Sequence, residues 1–303
     1  MSLAGPIDLA GIDPLSLDVE TDVCIIGAGA AGAYIARRLV AQGRDVVVVE
    51  AGPPACLPPR EAGFDAEFSP AAYPGAVSGR YFGVGGSTSR WGGLLAPHTR
   101  FDLRPASPDG FTDVWPWITG VVADESSAVL AVLGYQGIAD FDTFAATRLA
   151  AVARDVIEGP FHAQAGLYLP FRRKNLAWLL SAGAVGPGRC RLIHNAVVNQ
   201  WLIEPGGGRP RVAAVTAVAR GGRVLSLRAR RFVIAAGAIE STRIVLEIDR
   251  SGPARVLPAS SAVGCYLADH LSVAIADVAA TDRRAAAGLF APQFSGNWMR
   301  GYR

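Results

Sequence analysis

Two short apolar runs, residues 23–26 and 46–49, flank a stretch whose apolar positions recur at helical spacing through about Gln42. A glycine cluster opens that stretch and Gly43 stops it. The pattern predicts strand, turn, helix and strand within about thirty residues, the βαβ unit of a parallel sheet. Further along, 196–203, 212–219 and 224–228 alternate apolar and polar positions as strands do. Pro205-Gly206-Gly207-Gly208 and Gly221-Gly222 supply hairpin turns between them. This meander leads into residues 232–238, a buried strand ending at a glycine, with a helix starting near Ile239. Residues 1–20, rich in Pro, Asp and Gly, read as a loose lead-in, and the proline-broken stretch 52–78 reads as loop. Helices are expected at about 122–133 and 143–157, with a further one at about 175–183. No internal repeat or low-complexity linker interrupts the chain.

Composition narrows the classes. The 303 residues are 50% hydrophobic, enough for a sizeable core and one or two domains. A net charge of +3 is too mild to point to nucleic acid or an anionic membrane. Lys174 is the sole lysine, so the positive charge is nearly all arginine and no basic block forms a binding patch. Cys24, Cys56, Cys190 and Cys265 form no CxxC pair and no Cys/His cluster with zinc spacing, so no metal site is expected. Cys24, inside an apolar strand, reads as a buried reduced thiol. No export signal and no apolar run of membrane-spanning length is visible, so the expectation is a soluble, cytoplasmic protein.

The chemistry begins at GAGAAG, residues 27–32. Gly27 allows a tight turn off the strand, Gly29 lets the backbone approach a pyrophosphate, and Gly32 lets the helix pack on the strand. Ala30 and Ala31 open the helix, whose free N–H groups and positive dipole end suit phosphate. Glu50, followed by Ala51, ends the second strand, where a carboxylate accepts hydrogen bonds from both ribose hydroxyls and disfavours a 2′-phosphate. A lone GxGxxG is weak, but here strand, glycines, helix, second strand and acid fall in the required order. A Tyr-x-x-x-Lys pair is absent, since Pro170 stands four residues before Lys174. A second dinucleotide fingerprint is also absent, because Gly183–Gly188 follows no strand and contains a proline. The meander returning to a strand that ends in Ala236-Gly237-Ala238 suits an FAD domain.

Four segments then resemble the glucose–methanol–choline (GMC) oxidoreductases: VCIIGAGAAGAYIARRLVAQGRDVVVVEAG (23–52), VGGSTSRWGG (84–93), RFVIAAGAIESTRIVL (231–246) and VGCYLADH (263–270). Trp115-Pro116 and Arg173-Lys174-Asn175-Leu176 add to the likeness. The resemblance runs from about residue 20 to the end. It implies an α/β fold (α+β as a whole): an FAD/NAD(P)-binding Rossmann-like domain with a β-meander, built from 18–110 and 190–270. An incomplete substrate or cap domain would come from 111–189 and 271–303. It implies FAD, held by Gly27, Gly29, Gly32 and Glu50 at its ADP half. Gly85, Gly86, Ser87 and Thr88 would lie along the pyrophosphate and flavin, using backbone N–H groups and hydroxyls. The backbone of Val198 would bracket the adenine, and Ala236 and Gly237 would pack against the cofactor. Arg90 stands where some members carry a flavin-linking His, so non-covalent FAD is expected.

The implied reaction is oxidation of a small-molecule alcohol at a CH–OH group, with hydride passing to flavin N5. The family's catalytic His lies in a C-terminal segment for which these 303 residues show no counterpart, so no catalytic base is assigned. Of the four histidines, His270 follows Asp269 in the family's Asp-His pair and reads as structural. His194, before a strand, reads as a surface or capping residue, and His98 as a solvated loop residue; His162 carries no role. The resemblance therefore implies an incomplete chain, a complementary C-terminal chain as partner, and an unpaired sheet edge that lowers solubility. A non-catalytic FAD-binding remnant, and another flavoprotein reductase or desaturase, remain as alternatives.

Overall fold

The computed structural model describes residues 5–13, 15–67, 78–96, 98, 114–135, 165–181, 188–207, 210–252, 255–267, 283–284, 287, 293–295 and 298–302. In chain order the elements are β1 (Ile7–Asp8), β2 (Ser16–Ile26), α1 (Ala30–Ala41), β3 (Val46–Val49), α2 (Pro59–Ala62), β4 (Leu94–Leu95), α3 (Val114–Val132), β5 (Ala165–Tyr168), α4 (Trp178–Ser181), β6 (Cys190–His194), β7 (Val197–Glu204), β8 (Arg211–Val218), β9 (Val224–Ile234), α5 (Ala238–Ser251), β10 (Gln293–Ser295) and β11 (Trp298–Tyr302). The chain divides into two compact units, one from Met1–Trp91 and Asn175–Ser272, the other from Gly92–Lys174 and Val273–Arg303.

The first unit is built on a sheet in the order β1-β6-β3-β2-β9-β8-β7. Neighbours from β1 to β9 run parallel, and β9, β8 and β7 form an antiparallel meander. Four consecutive valines make β3, all buried, because a central parallel strand is covered on both faces. Val46 and Val48 face the side of the sheet where Ala36 and Val40 of α1 pack. Val47 and Val49 face the other, with Ile244 and Ile248 of α5. Gln42 caps α1 and Gly43 follows at φ 80°, the left-handed turn that ends helices at glycine. Gly221 and Gly222 take φ of 94° and 80°, as the β8–β9 hairpin requires.

Three sequence expectations change. Residues 1–20 are not a loose lead-in. Ile7–Asp8 pairs with β6, Leu9 is fully buried, and Ser16–Glu20 forms the first half of β2 against Val224–Arg228 of β9. Alternation over Leu17, Val19 and Thr21 carries that half-strand, and the Pro and Gly around it mask the signal. Residues 224–228 and 232–234 are one continuous strand, β9, while Ala235–Gly237 forms the turn after it. His194 is neither a surface nor a capping residue. It ends β6, 6% exposed, because β1 lies alongside it with Asp8 as register partner. Elsewhere the helix read at 122–133 begins earlier, as α3, and the one read at 175–183 is the single turn α4. The helix expected at 143–157, His162, Gly183 and His270 lie outside the described residues.

The C-terminus of α5 shows how a loop is pinned. Buried Asp249 accepts hydrogen bonds from the backbone N–H groups of Val256 (2.7 Å) and Leu257 (2.8 Å), and Arg255 pairs with its other oxygen. The Leu257 and Val256 amides hold its carboxyl below the ordinary carboxylate range. A depressed folded pKa contributes stability above the unfolded value that is lost as pH falls through the folded one. Asp249→Asn is therefore expected to lower the melting temperature at neutral pH. In paired thermal melts across acid pH, the gap to wild type should close as the solution is acidified.

The second unit has an antiparallel sheet in the order β10-β11-β5-β4. The Tyr135 hydroxyl donates to the carbonyl of Tyr168 (2.5 Å), and Arg173 donates to the carbonyl of Leu133 (3.3 Å), tying the end of α3 to β5. Exposed His98 sits edge-on to the Trp115 ring. Among the described residues no helix is long and apolar enough to cross a membrane, and no group of three His, Cys, Asp or Glu could hold a metal ion.

Candidate functional site

A cleft of about 660 Å³ opens in the first unit at the C-terminal ends of β2, β3 and β9. That is the edge at which parallel α/β sheets bind ligands. Gly27 leaves β2 at φ 105°, with its N–H on the carbonyl of Val49 (2.8 Å). A Cβ there would strike the Ala235 backbone, so glycine is required by conformation and by space. A Cβ on Gly32 would run into the carbonyl oxygen of Gly27. Gly32 does not line the cleft; it is the packing glycine that seats α1 on β2. Gly29 differs: it lines the cleft, and nothing lies within 4 Å of where its Cβ would stand. Gly29 is also the N-cap of α1 and offers no side-chain cap. The first-turn N–H groups behind it, at Ala30 and Ala31 on the cleft wall, lack a side-chain acceptor. Open space before a bare helix N-terminus is a fit for phosphate oxygens.

Glu50 is 6% exposed and lines the same cleft. Its Oε2 accepts from the Ala28 N–H (2.8 Å) and its Oε1 from the Gly52 N–H (2.9 Å). The backbone N–H groups of Gly83 and Ala51 also lie against the carboxylate. Burial raises its pKa above the ordinary carboxylate range, with the backbone N–H bonds acting the other way. Ala51 lies beside it on the wall.

The second glycine segment meets the first. The Gly85 N–H donates to the carbonyl of Ala28 (2.9 Å), and Gly86 packs on the Cα of Gly29. Gly85, at φ 98°, backs the wall from behind; Gly86, Ser87 and Thr88 line it. Ser87 presents an exposed hydroxyl that accepts from the Tyr81 N–H (3.3 Å). The Thr88 hydroxyl is not free to serve a ligand as a donor: it is buried and donates to the carbonyl of Gly85 (2.6 Å). Val198 is 7% exposed and lines the cleft with Ala196 and Val197, at a bulge where β7 shifts register against β8. The Ala236 N–H donates to the Ser241 hydroxyl (3.1 Å), and Gly237 caps α5 at φ 82° with open space before it.

Sequence reasoning missed one wall. Phe64 and Phe82 stack with ring centroids 4.3 Å apart, and the Arg80 guanidinium lies 5.2 Å over the Phe82 ring. Arg80 reaches Glu240 in the first turn of α5 (2.8 Å), and Arg243 closes on the other oxygen of Glu240 (2.7 Å). Arg80, Phe82 and Phe64 follow no spacing that marks a wall, and Glu240 lies within residues 231–246 without a role that its neighbours in sequence disclose. Cys56 lies behind the turn, its thiol directed at the carbonyls of Val84 and Gly86 and pushed up by burial, so it offers no reactive thiolate.

Residues 22–57 match the family described as FAD dependent oxidoreductase. The chain is 33% identical over 128 residues to 6'''-hydroxyparomomycin C oxidase of Streptomyces lividus, covering 37% of this chain and 23% of that protein. Among solved structures it is similar to pyridoxine 4-oxidase from Mesorbium loti (19% identity, TM-score 0.45, 77% of this chain and 54% of that one). It is also similar to formate oxidase from Aspergillus oryzae RIB40 (17% identity, TM-score 0.46, 75% of this chain and 47% of that one). The chain thus spans about a quarter of the curated relative and about half of the solved ones. The family match falls on the βαβ unit that lines this cleft, and it points to FAD as the cofactor.

Proposed function

We propose that the chain is a GMC-type flavoprotein acting on the CH–OH group of a small-molecule alcohol, the first unit holding FAD and the second forming part of the substrate region. One observation carries the reading: the bare N-terminus of α1, the Glu50 carboxylate and the Gly86–Ser87 backbone all face a single cleft. When bound, FAD supplies hydride acceptance. The protein supplies placement. The amides of Ala30 and Ala31 take the pyrophosphate, Ser87 lies toward the flavin beyond it, Glu50 accepts the ribose hydroxyls, Val198 packs on the adenine, and Ala236 and Gly237 let the cofactor lie close to backbone. The base that receives the hydroxyl proton is assigned to no residue of this chain; a complementary polypeptide would carry it. Four free thiols support a reducing compartment, the cytoplasm. Anaerobic addition of small primary and secondary alcohols to the FAD-loaded protein, together with the complementary polypeptide, is expected to bleach the visible flavin bands. Bleaching by NADH or NADPH and by no alcohol would contradict the reading.

The FAD is proposed to be non-covalent. Arg90 is exposed, its guanidinium 5.7 Å over the Tyr81 ring, and an arginine side chain forms no bond to the isoalloxazine. Acid precipitation is expected to leave all flavin in the supernatant. A yellow pellet that survives washing would refute this.

A further inference from the structure

The turn Gly85–Ser87 is held from both sides. In front, it rests on Ala28 and Gly29 through the Gly85 N–H bond and the Gly86 contact. Behind it lies a segment ninety residues further along. The Leu176 N–H donates to the Thr88 hydroxyl (3.0 Å), and that hydroxyl donates to the carbonyl of Gly85 (2.6 Å). A hydroxyl has one proton, and this one is spent inside the protein. Asn175 sits against Gly85, its Oδ1 where a Cβ would project, and the same oxygen accepts from the Ala177 N–H (3.0 Å). Asn175 thereby starts the turn into α4 while filling the space behind Gly85. Thr88 is 7% exposed, so neither bond has water as a substitute.

We propose that Thr88 is a positioning residue: through Leu176 and Gly85 its hydroxyl fixes the Gly85–Ser87 turn over the flavin-ward part of the cleft, and it is not itself a ligand of the cofactor. This rests on the FAD reading above. ADP ends at the second phosphate, so its binding depends on Gly29, α1 and Glu50 rather than on how firmly that turn is held. FAD extends beyond it. Loss of the hydroxyl therefore separates the two ligands.

The test is titration of the full chain with FAD and with ADP, for wild type, Thr88→Ser and Thr88→Val. Valine keeps the shape and removes both bonds; serine keeps both bonds. Leaving a buried polar group unpaired costs about 1–3 kcal/mol, or roughly 5- to 150-fold. Thr88→Val is expected to weaken FAD by about tenfold and to leave ADP within about twofold. Thr88→Ser is expected to restore wild-type FAD affinity and the visible circular dichroism of the bound flavin. Unchanged FAD affinity in Thr88→Val, an equal loss for ADP, or a failure of serine to rescue would each overturn the proposal. A wild-type chain that binds neither ligand overturns the FAD reading and this proposal with it.

Discussion

Replacing Gly29 with alanine is expected to weaken FAD binding by about 100-fold while leaving the empty protein as stable as wild type. The backbone at Gly29 has φ −73° and ψ −171°, which alanine adopts without strain. No protein atom lies within 4 Å of the new methyl group. The small cost of alanine at an N-cap is offset by the reduced entropy of the unfolded chain, so the net change stays within about 0.5 kcal/mol. The methyl instead occupies the space before the N-terminus of α1, where the pyrophosphate would lie. An affinity loss of roughly 100-fold, about 2.8 kcal/mol, is expected. Gly32→Ala should do the reverse. Its methyl would meet the Gly27 carbonyl, which is backbone and cannot yield, and the Ile25 side chain, so about 1–3 kcal/mol of stability is lost. Thermal melts of the empty proteins beside FAD titrations distinguish the two. Equal effects from both substitutions would show that Gly29 faces no ligand.

Glu50→Gln is the second large effect. Both carboxylate oxygens already accept a buried N–H. The amide would turn its NH2 toward one of those donors, costing about 1–3 kcal/mol of fold stability. It would also remove the charged acceptor offered to the ribose, for a further loss of about 10- to 100-fold in FAD affinity, at about 1.5–3 kcal/mol for a hydrogen bond to a charged group. The pH behaviour fixes the sign. Burial raises the folded pKa of Glu50, so its contribution to the empty protein is fully present below the unfolded value and is lost as pH rises through the folded one. Ribose hydroxyls donating to the carboxylate favour its ionised form, so FAD affinity should climb with pH across the same window. In Glu50→Gln that climb should be absent. An affinity profile that keeps its slope in the variant would assign the titration to another group. Asp249 acts with the opposite sign on stability, which separates the two carboxylates in a melt series.

The nucleotide end of the site was legible because its chemistry is local. Gly27, Gly29, Gly32 and Glu50 lie within one βαβ unit, and periodicity, turn and terminal acid can be read from thirty consecutive residues. What depends on distant partners was not legible. Ser16–Glu20 becomes a strand because β9 lies beside it, and the surrounding Pro and Gly speak for loop. His194 is buried because the two-residue strand β1 covers it, and no pattern of two residues announces a strand. Thr88 sits inside a glycine-rich loop where a hydroxyl suggests a ligand contact, yet Leu176 and Gly85 claim both of its bonds. The Phe64–Phe82–Arg80 wall joins residues whose order in the sequence carries no period. Glu240 takes on meaning only when Arg80, 160 positions away, meets it.

The proposed grip of this cleft on the ADP half of FAD is directly measurable. Competition titration of the purified chain tests it most directly, with bound FAD challenged by ADP and by FMN, which lacks the adenylate. One FAD per chain is expected, displaced by ADP and indifferent to FMN. Displacement by FMN with no effect of ADP would contradict it.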